Sequence, residues 1–151
     1  MTVDPSGQFV YVANADSSDV SGFTIEAATG ALRPIGQPVA TGAHPTSVTV
    51  DPSGRFVYVA NTGSNDISGY TLNAPMGALT PIPGSPFPTG KFPQSVTVDP
   101  SGHFAYVASD GSNDVSAYTI DATTGALTPI PGSPFPAGVA PSSVITSGTA
   151  Q

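Results

Sequence analysis

The sequence predicts an all-β fold, a β-propeller of three four-stranded antiparallel blades that forms a partial ring or a ring completed by oligomerisation. Three observations carry that expectation. A unit of 47 to 48 residues recurs three times, each unit holds four strand-like runs divided by turn residues, and the 3.6-residue periodicity of helices is missing.

The period is set by anchors. Asp4-Pro5-Ser6-Gly7 returns as Asp51-Pro52-Ser53-Gly54 and as Asp99-Pro100-Ser101-Gly102, at offsets of 47 and 48. Tyr11, Tyr58 and Tyr106 keep step, as do Asp19, Asp66 and Asp114, then Gly30, Gly77 and Gly125, then Pro34, Pro81 and Pro129. The first unit is one residue shorter between Pro34 and Pro38, after which Pro45, Pro93 and Pro141 are evenly spaced at 48. The units therefore divide as 1–42 (blade 1, inner strand mostly missing), 43–90 (blade 2), 91–138 (blade 3) and 139–151, the start of a further inner strand or a closing tail.

The middle unit shows the four strands. Ser47-Val48-Thr49-Val50 alternates and ends at Asp51-Pro52-Ser53-Gly54, whose Asp, Pro and Gly suit a type I turn. Arg55 to Ala60 is a dense β-branched and aromatic run, expected of a strand covered on both faces. Residues 61–65 form a loop, and Asp66 to Leu72 is the third strand. The turn at Asn73 to Gly77 leads into Ala78-Leu79-Thr80-Pro81-Ile82-Pro83, whose prolines cannot donate to a central ladder and so place it on the outer edge. Helical repeats and the shorter coils of a β-helix fit this pattern poorly.

Propellers usually have four to eight blades, so three units imply either a segment of a longer ring or head-to-tail association. Pro141 to Thr146 aligns with Pro93 to Val98, and the first unit keeps only Thr2-Val3 of its inner strand. In a closed oligomer, residues 143–146 of one chain would lie beside residues 8–13 of a second.

Composition narrows the partners. Charged residues are 9% of the chain against roughly a quarter in ordinary soluble domains, yet the 38% hydrophobic content falls in short patterned runs, which disordered chains lack. Net charge is −7 with Arg33, Arg55 and Lys91 as the fixed cations, so neither nucleic acid nor an anionic membrane surface is an expected partner. No apolar run reaches the roughly 20 residues of a bilayer span, and Met1 leads into Thr2-Val3-Asp4-Pro5 without the regions of a signal peptide. The absence of Cys removes disulfides and thiol chemistry.

Tyr11-Val12-Ala13-Asn14, Tyr58-Val59-Ala60-Asn61 and Tyr106-Val107-Ala108-Ser109, each after an Asp-Pro-Ser-Gly turn, resemble the repeat of the lactonase-like seven-bladed propeller family. That family includes 6-phosphogluconolactonases and Tyr-Val-Thr-Asn repeat surface proteins. The Thr-Gly-Ala-Leu-x-Pro pattern at residues 29–34 strengthens the likeness, which covers essentially the whole chain. The family's enzymes carry Pro-Arg-His at the start of an inner strand and Asn-Glu after the next. Here the first place holds Pro45-Thr46-Ser47, Pro93-Gln94-Ser95 and Pro141-Ser142-Ser143, and the second holds Asn61-Thr62 and Ser109-Asp110.

In such a blade the loops between strands two and three and the crossings between blades emerge on one face. The ligand-binding candidates there are His44, Lys91 and Phe92, where otherwise equal blades differ, together with Asn61, Asn65, Asp110 and Asn113 from the loops. Each has a plainer reading. A lone His without a second ligand or an orienting group serves poorly as metal ligand or base, and one Lys is ordinarily a solvated charge. His103 swaps with Gln8 and Arg55 on the opposite face, as surface positions do. Asp4, Asp51 and Asp99 are turn caps. Asp16, Asp19, Asp66, Asp110 and Asp114 lack the alternating loop and closing Glu of a calcium site, Glu26 has no carboxylate partner for acid and base work, and no nucleophile elbow or phosphate-cradling glycine loop occurs. No metal and no cofactor is expected.

Two functions are consistent with these residues. One is a propeller scaffold whose loop face binds a small sugar-like ligand, a protein or a surface polymer. The other, implied by the resemblance, is a lactone hydrolase similar to 6-phosphogluconolactonase. The resemblance also implies a periplasmic or extracellular location.

Overall fold

The computed structural model describes residues 1–148, and the last part of the expected closing tail, 149–151, lies outside them. Blade 1 comprises β1 (Thr2–Val3), β2 (Phe9–Asn14), β3 (Asp19–Ile25), β4 (Leu32–Pro34) and β5 (Val39–Ala40). Blade 2 comprises β6 (Pro45–Val50), β7 (Phe56–Asn61), β8 (Asp66–Asn73), β9 (Ala78–Pro81) and β10 (Phe87–Pro88). Blade 3 comprises β11 (Pro93–Val98), β12 (Phe104–Ser109), β13 (Asp114–Ile120), β14 (Leu127–Pro129) and β15 (Phe135–Pro136).

All ladders are antiparallel, and the register repeats from blade to blade: Asn14 faces Asp19, Asn61 faces Asp66, and Ser109 faces Asp114. The inner strands begin earlier than the alternation at Ser47 suggests, at Pro45 and Pro93, because a bulge follows each of these prolines and re-aims the strand's first residues.

The outer edge differs from the expected single strand. It is two short pieces, β9 and β10 in blade 2, both paired to β8. The reason is the loss of donors at Pro81, Pro83 and Pro86. Between the pieces Ile82 N donates to Gly69 O at 3.0 Å, and Ser85 Oγ takes over as acceptor for Gly69 N at 2.9 Å.

Strand β7 is buried along its whole length, as its dense apolar run requires. Its residues divide with the two-residue period of a strand. Val57 and Val59 join Phe9, Tyr11, Val20 and Tyr70 in the core between blades 1 and 2. Phe56, Tyr58 and Ala60 join Ile82, Val96, Val107 and Leu127 in the core between blades 2 and 3. Tyrosine hydroxyls tie the layers: Tyr11 Oη donates to Gly77 O at 2.8 Å, and Tyr58 Oη donates to Gly125 O at 2.7 Å. Burial, then the nearby Asp4 or Asp51 carboxylate, pushes both phenols above their ordinary value.

Those glycines are needed where they stand. At Gly125, with φ +75°, a Cβ would lie 2.7 Å from Phe56 Cε1, so the turn can ride over the ring only without a side chain. Beyond blade 3 the equivalent rings Phe104 and Phe135 are 38% and 42% exposed, whereas Phe56 and Phe87 are buried. Residues 141–148 form no strand, but they lie along β11 as β11 lies along β6. Val144 N reaches Ser95 Oγ at 3.3 Å, and Val96 N reaches Ser47 Oγ at 3.2 Å.

The Asp-Pro-Ser-Gly turns hold the opposite face. Asp51 Oδ1 accepts from Arg55 N and Phe56 N at 2.8 and 2.7 Å, and Oδ2 accepts from Ser53 N at 3.1 Å and from its hydroxyl. For Asp4 and Asp99 burial pushes the carboxyl up, but bonds from the serine hydroxyl and three backbone N–H groups outweigh it and hold the group below the ordinary range.

Candidate functional site

The loop face is built by one backbone device used at every crossing. A loop residue with positive φ (Ser18, Asn65 or Asn113) offers a side-chain oxygen to the N–H of a crossing residue that also has positive φ (His44, Phe92 or Ala140). The bonds are His44 N to Ser18 Oγ at 3.4 Å, Phe92 N to Asn65 Oδ1 at 2.7 Å and Ala140 N to Asn113 Oδ1 at 2.9 Å. Asn tolerates the left-handed region readily, whereas a bulky aromatic does not, so Phe92 sits there at φ +54° against its intrinsic preference.

Among the predicted site residues, Asn65 and Asn113 are therefore clasps between blades. Asn61 is fully buried and inside blade 2. Its Nδ2 donates to Asp66 Oδ1 at 2.6 Å and to Ser68 Oγ at 2.9 Å, while Thr41 Oγ1 donates to its Oδ1 at 2.8 Å.

Lys91, Phe92 and Asp110 gather at the boundary of blades 2 and 3, whereas His44 stands at the boundary of blades 1 and 2. Phe92 is 52% exposed. Its ring lies over Gly111, where any Cβ would collide with it, so one ring face packs on backbone and the remainder meets solvent. Phe92 O accepts from Asp110 N at 3.1 Å, and Lys91 O accepts from Gly111 N at 2.9 Å, which sets Asp110 and Lys91 beside the ring. The next carbonyl, Pro93 O, accepts from two hydroxyls, Thr46 Oγ1 at 3.1 Å and Thr62 Oγ1 at 2.5 Å, themselves 2.9 Å apart. On the far side Thr62 N donates to His44 O at 3.0 Å.

The row His44, Thr62, Thr46, Phe92 and Asp110 is thus continuous through backbone and hydroxyl contacts. Thr46 and Thr62 belong to it although differences between blades did not nominate them. Their signal was in the sequence, since they follow Pro45 and Asn61, the places where the resemblance implies Arg and Glu. The arrangement offers an exposed aromatic ring, hydroxyl oxygens with lone pairs left to accept, one carboxylate residue and one lysine on an otherwise neutral surface.

Repeating antiparallel blades with a loop face of this kind define the chain as part of a β-propeller. The model of the lactonase seven-bladed β-propeller family matches residues 1–50 and 41–142, and the chain belongs to that family. No curated protein sequence matches it.

Among solved structures it is similar to a proposed 6-phosphogluconolactonase of Bacteroides fragilis, with TM-score 0.85 and 23% identity over 94% of this chain and 39% of that one. A second proposed 6-phosphogluconolactonase, from Bacteroides uniformis, gives TM-score 0.84 and 23% identity over 93% of this chain and 40% of that one. The periplasmic gluconolactonase of Pseudomonas aeruginosa gives TM-score 0.80 and 20% identity over 91% of this chain and 39% of that one. The chain spans about two fifths of the length of these structures, as three blades of a seven-bladed ring would. Among the described residues no helix is long and apolar enough to cross a membrane.

Proposed function

We propose that the loop face of blades 2 and 3 binds a neutral, polyhydroxylated small molecule of the sugar or sugar-lactone class, and that the chain acts as a propeller binding scaffold. The observation that carries this reading is the Phe92 ring, held over Gly111 in a strained conformation and 52% exposed, beside the paired hydroxyls of Thr46 and Thr62. A ring face takes the C–H face of a sugar, and hydroxyls and carboxylate exchange hydrogen bonds with its O–H groups. The test is titration with glucono-δ-lactone and with glucose, followed by ligand-observed NMR. Phe92→Ala leaves the fold intact, because Ala140 holds the same backbone conformation in the next repeat, and it weakens binding by about tenfold or more, roughly 1.4 kcal/mol. Unchanged binding in that variant contradicts the proposal.

A second reading is lactone hydrolysis, supported by membership of the lactonase family and by the gluconolactonase named among the neighbours. In this reading Asp110, whose N–H donates to Phe92 O, supplies the carboxylate that acts as general base on a water beside a ligand on Phe92. Asp110→Asn separates the two: hydrolysis above the spontaneous rate disappears with the carboxylate if this reading holds, whereas the binding reading has no such rate to lose. We also propose a periplasmic or cell-surface location, supported by the periplasmic neighbour. Fractionation of cells carrying the full-length gene product tests it.

A further inference from the structure

The network around Asn61 is repeated in blade 1, where Asn14 Nδ2 donates to Asp19 Oδ1 at 2.6 Å and to Ser21 Oγ at 2.8 Å. In blade 3 the frame is the same, with Thr89, Asp114 and Ser116 standing where Thr41, Asp66 and Ser68 stand in blade 2, but the carboxamide is replaced by the shorter Ser109. The consequence is local. Among the described residues Thr89 Oγ1, Ser109 Oγ and Asp114 Oδ1 are buried side-chain oxygens with no hydrogen-bond partner, and Ser109 is fully buried. Two of them converge on one place, since a Cβ added at Gly90 would lie 2.6 Å from Asp114 Oδ1 and 2.7 Å from Ser109 Oγ, and Thr89 is the residue next to Gly90.

Leaving such groups unpaired is costly, and natural structures satisfy them with protein or with internal water. The needs of this place match one water molecule. Asn61 accepts one hydrogen bond and donates two to these frame positions, and a water can donate to Asp114 Oδ1 and Ser116 Oγ while accepting from the hydroxyls of Thr89 and Ser109. A cleft of about 210 Å³ lined by Pro88, Thr89, Gly90, Ser116 and Tyr118 adjoins Thr89 and supplies a path from solvent.

We propose that blade 3 holds one structural water between Thr89, Ser109 and Asp114, standing in for the carboxamide that Asn14 and Asn61 supply in blades 1 and 2. Ser109 directly precedes Asp110, whose N–H donates to Phe92 O at 3.1 Å, so the water joins the packing of blade 3 to the backbone that carries the binding face. It is independent of what that face binds.

The test is water-selective NMR on the full chain. The expected result is a persistent water cross-peak to the amide or side-chain protons of Ser109, Thr89 or Gly90. In Ser109→Asn that cross-peak vanishes and Tm rises by a few degrees. In Ser109→Ala, which removes one donor to the water and keeps the space, the cross-peak persists and Tm falls. Absence of the cross-peak in the parent protein overturns the proposal, as does its persistence in a folded Ser109→Asn protein. A Tm that depends on which monovalent cation is present, compared at equal ionic strength in sodium, potassium and choline chloride, would assign the place to an ion and overturn it equally.

Discussion

The bond from Tyr58 to Gly125 fastens strand two of one blade to the outer turn of the next, 67 residues along the chain, and Tyr58→Phe removes it while keeping the ring. Tyr58 is fully buried, so the Gly125 carbonyl is left without its donor in a place water does not reach. A buried acceptor stranded in this way costs about 1 to 3 kcal/mol. For a chain of 151 residues, where each kcal/mol moves Tm by about 2 to 4 °C, the expected fall is about 2 to 12 °C. Tyr11→Phe is expected to behave alike, since Tyr11 Oη makes the same bond to Gly77 O. Tyr106 supplies the control: it is half-buried, its hydroxyl donates to no carbonyl among the described residues, and Tyr106→Phe should stay within about 0.5 kcal/mol of the parent. Thermal unfolding followed by circular dichroism reads all three. If Tyr58→Phe costs no more than Tyr106→Phe, the blades are not joined through these hydroxyls and the reasoning fails.

The remaining predictions concern glycine turns and acid stability. Gly125→Ala, which meets both a positive φ and the Phe56 ring, should cost about 2 to 5 kcal/mol, while Gly30→Ala, with the same backbone sign but open space around it, should cost about 1 to 2 kcal/mol; urea midpoints decide between them. The Asp4 and Asp99 carboxyls lie below the ordinary 3.8 in the folded chain, so the unfolded chain binds more protons near that pH. Their contribution is present above about pH 4 and is lost as pH falls through their folded values, and Asp99→Asn should flatten the fall in stability below about pH 4. A steeper acid dependence in that variant would contradict the assignment. Tyr11 and Tyr58, raised above 10.0, act in the opposite sense, and stability should begin to drain above about pH 10 as the unfolded chain releases phenolic protons that the folded chain retains.

The period of 47 to 48 made the blade legible, because turn, tyrosine and glycine anchors recur in step and strand β7 carries an unbroken apolar run. The split outer edge was not legible. Pro81, Pro83 and Pro86 mark an edge, but whether the chain leaves the ladder and returns depends on Ser85 reaching Gly69, a contact no local pattern encodes.

On the loop face the reason the sequence offered for singling out residues differs from what the backbone shows. His44 and Phe92 drew notice because they differ between blades, yet what their positions share with Ala140 is a positive φ and an N–H held by the preceding blade. Side chains vary at the crossing residues because the clasp uses only their backbone N–H. Asn61 looked like a loop ligand and is a buried bridge, which its spacing of five from Asp66 hints at but which needs Thr41 from across the crossing to complete.

The measurement that bears most directly on the proposed function combines binding and turnover in one sample. Glucono-δ-lactone is titrated into the full chain while its hydrolysis is followed by pH-stat against buffer alone. The account predicts saturable binding that is weakened in Phe92→Ala and in the paired Thr46→Val, Thr62→Val variant, with hydrolysis at the spontaneous rate. No saturable binding, or hydrolysis accelerated by the parent chain and lost in Asp110→Asn, would contradict it.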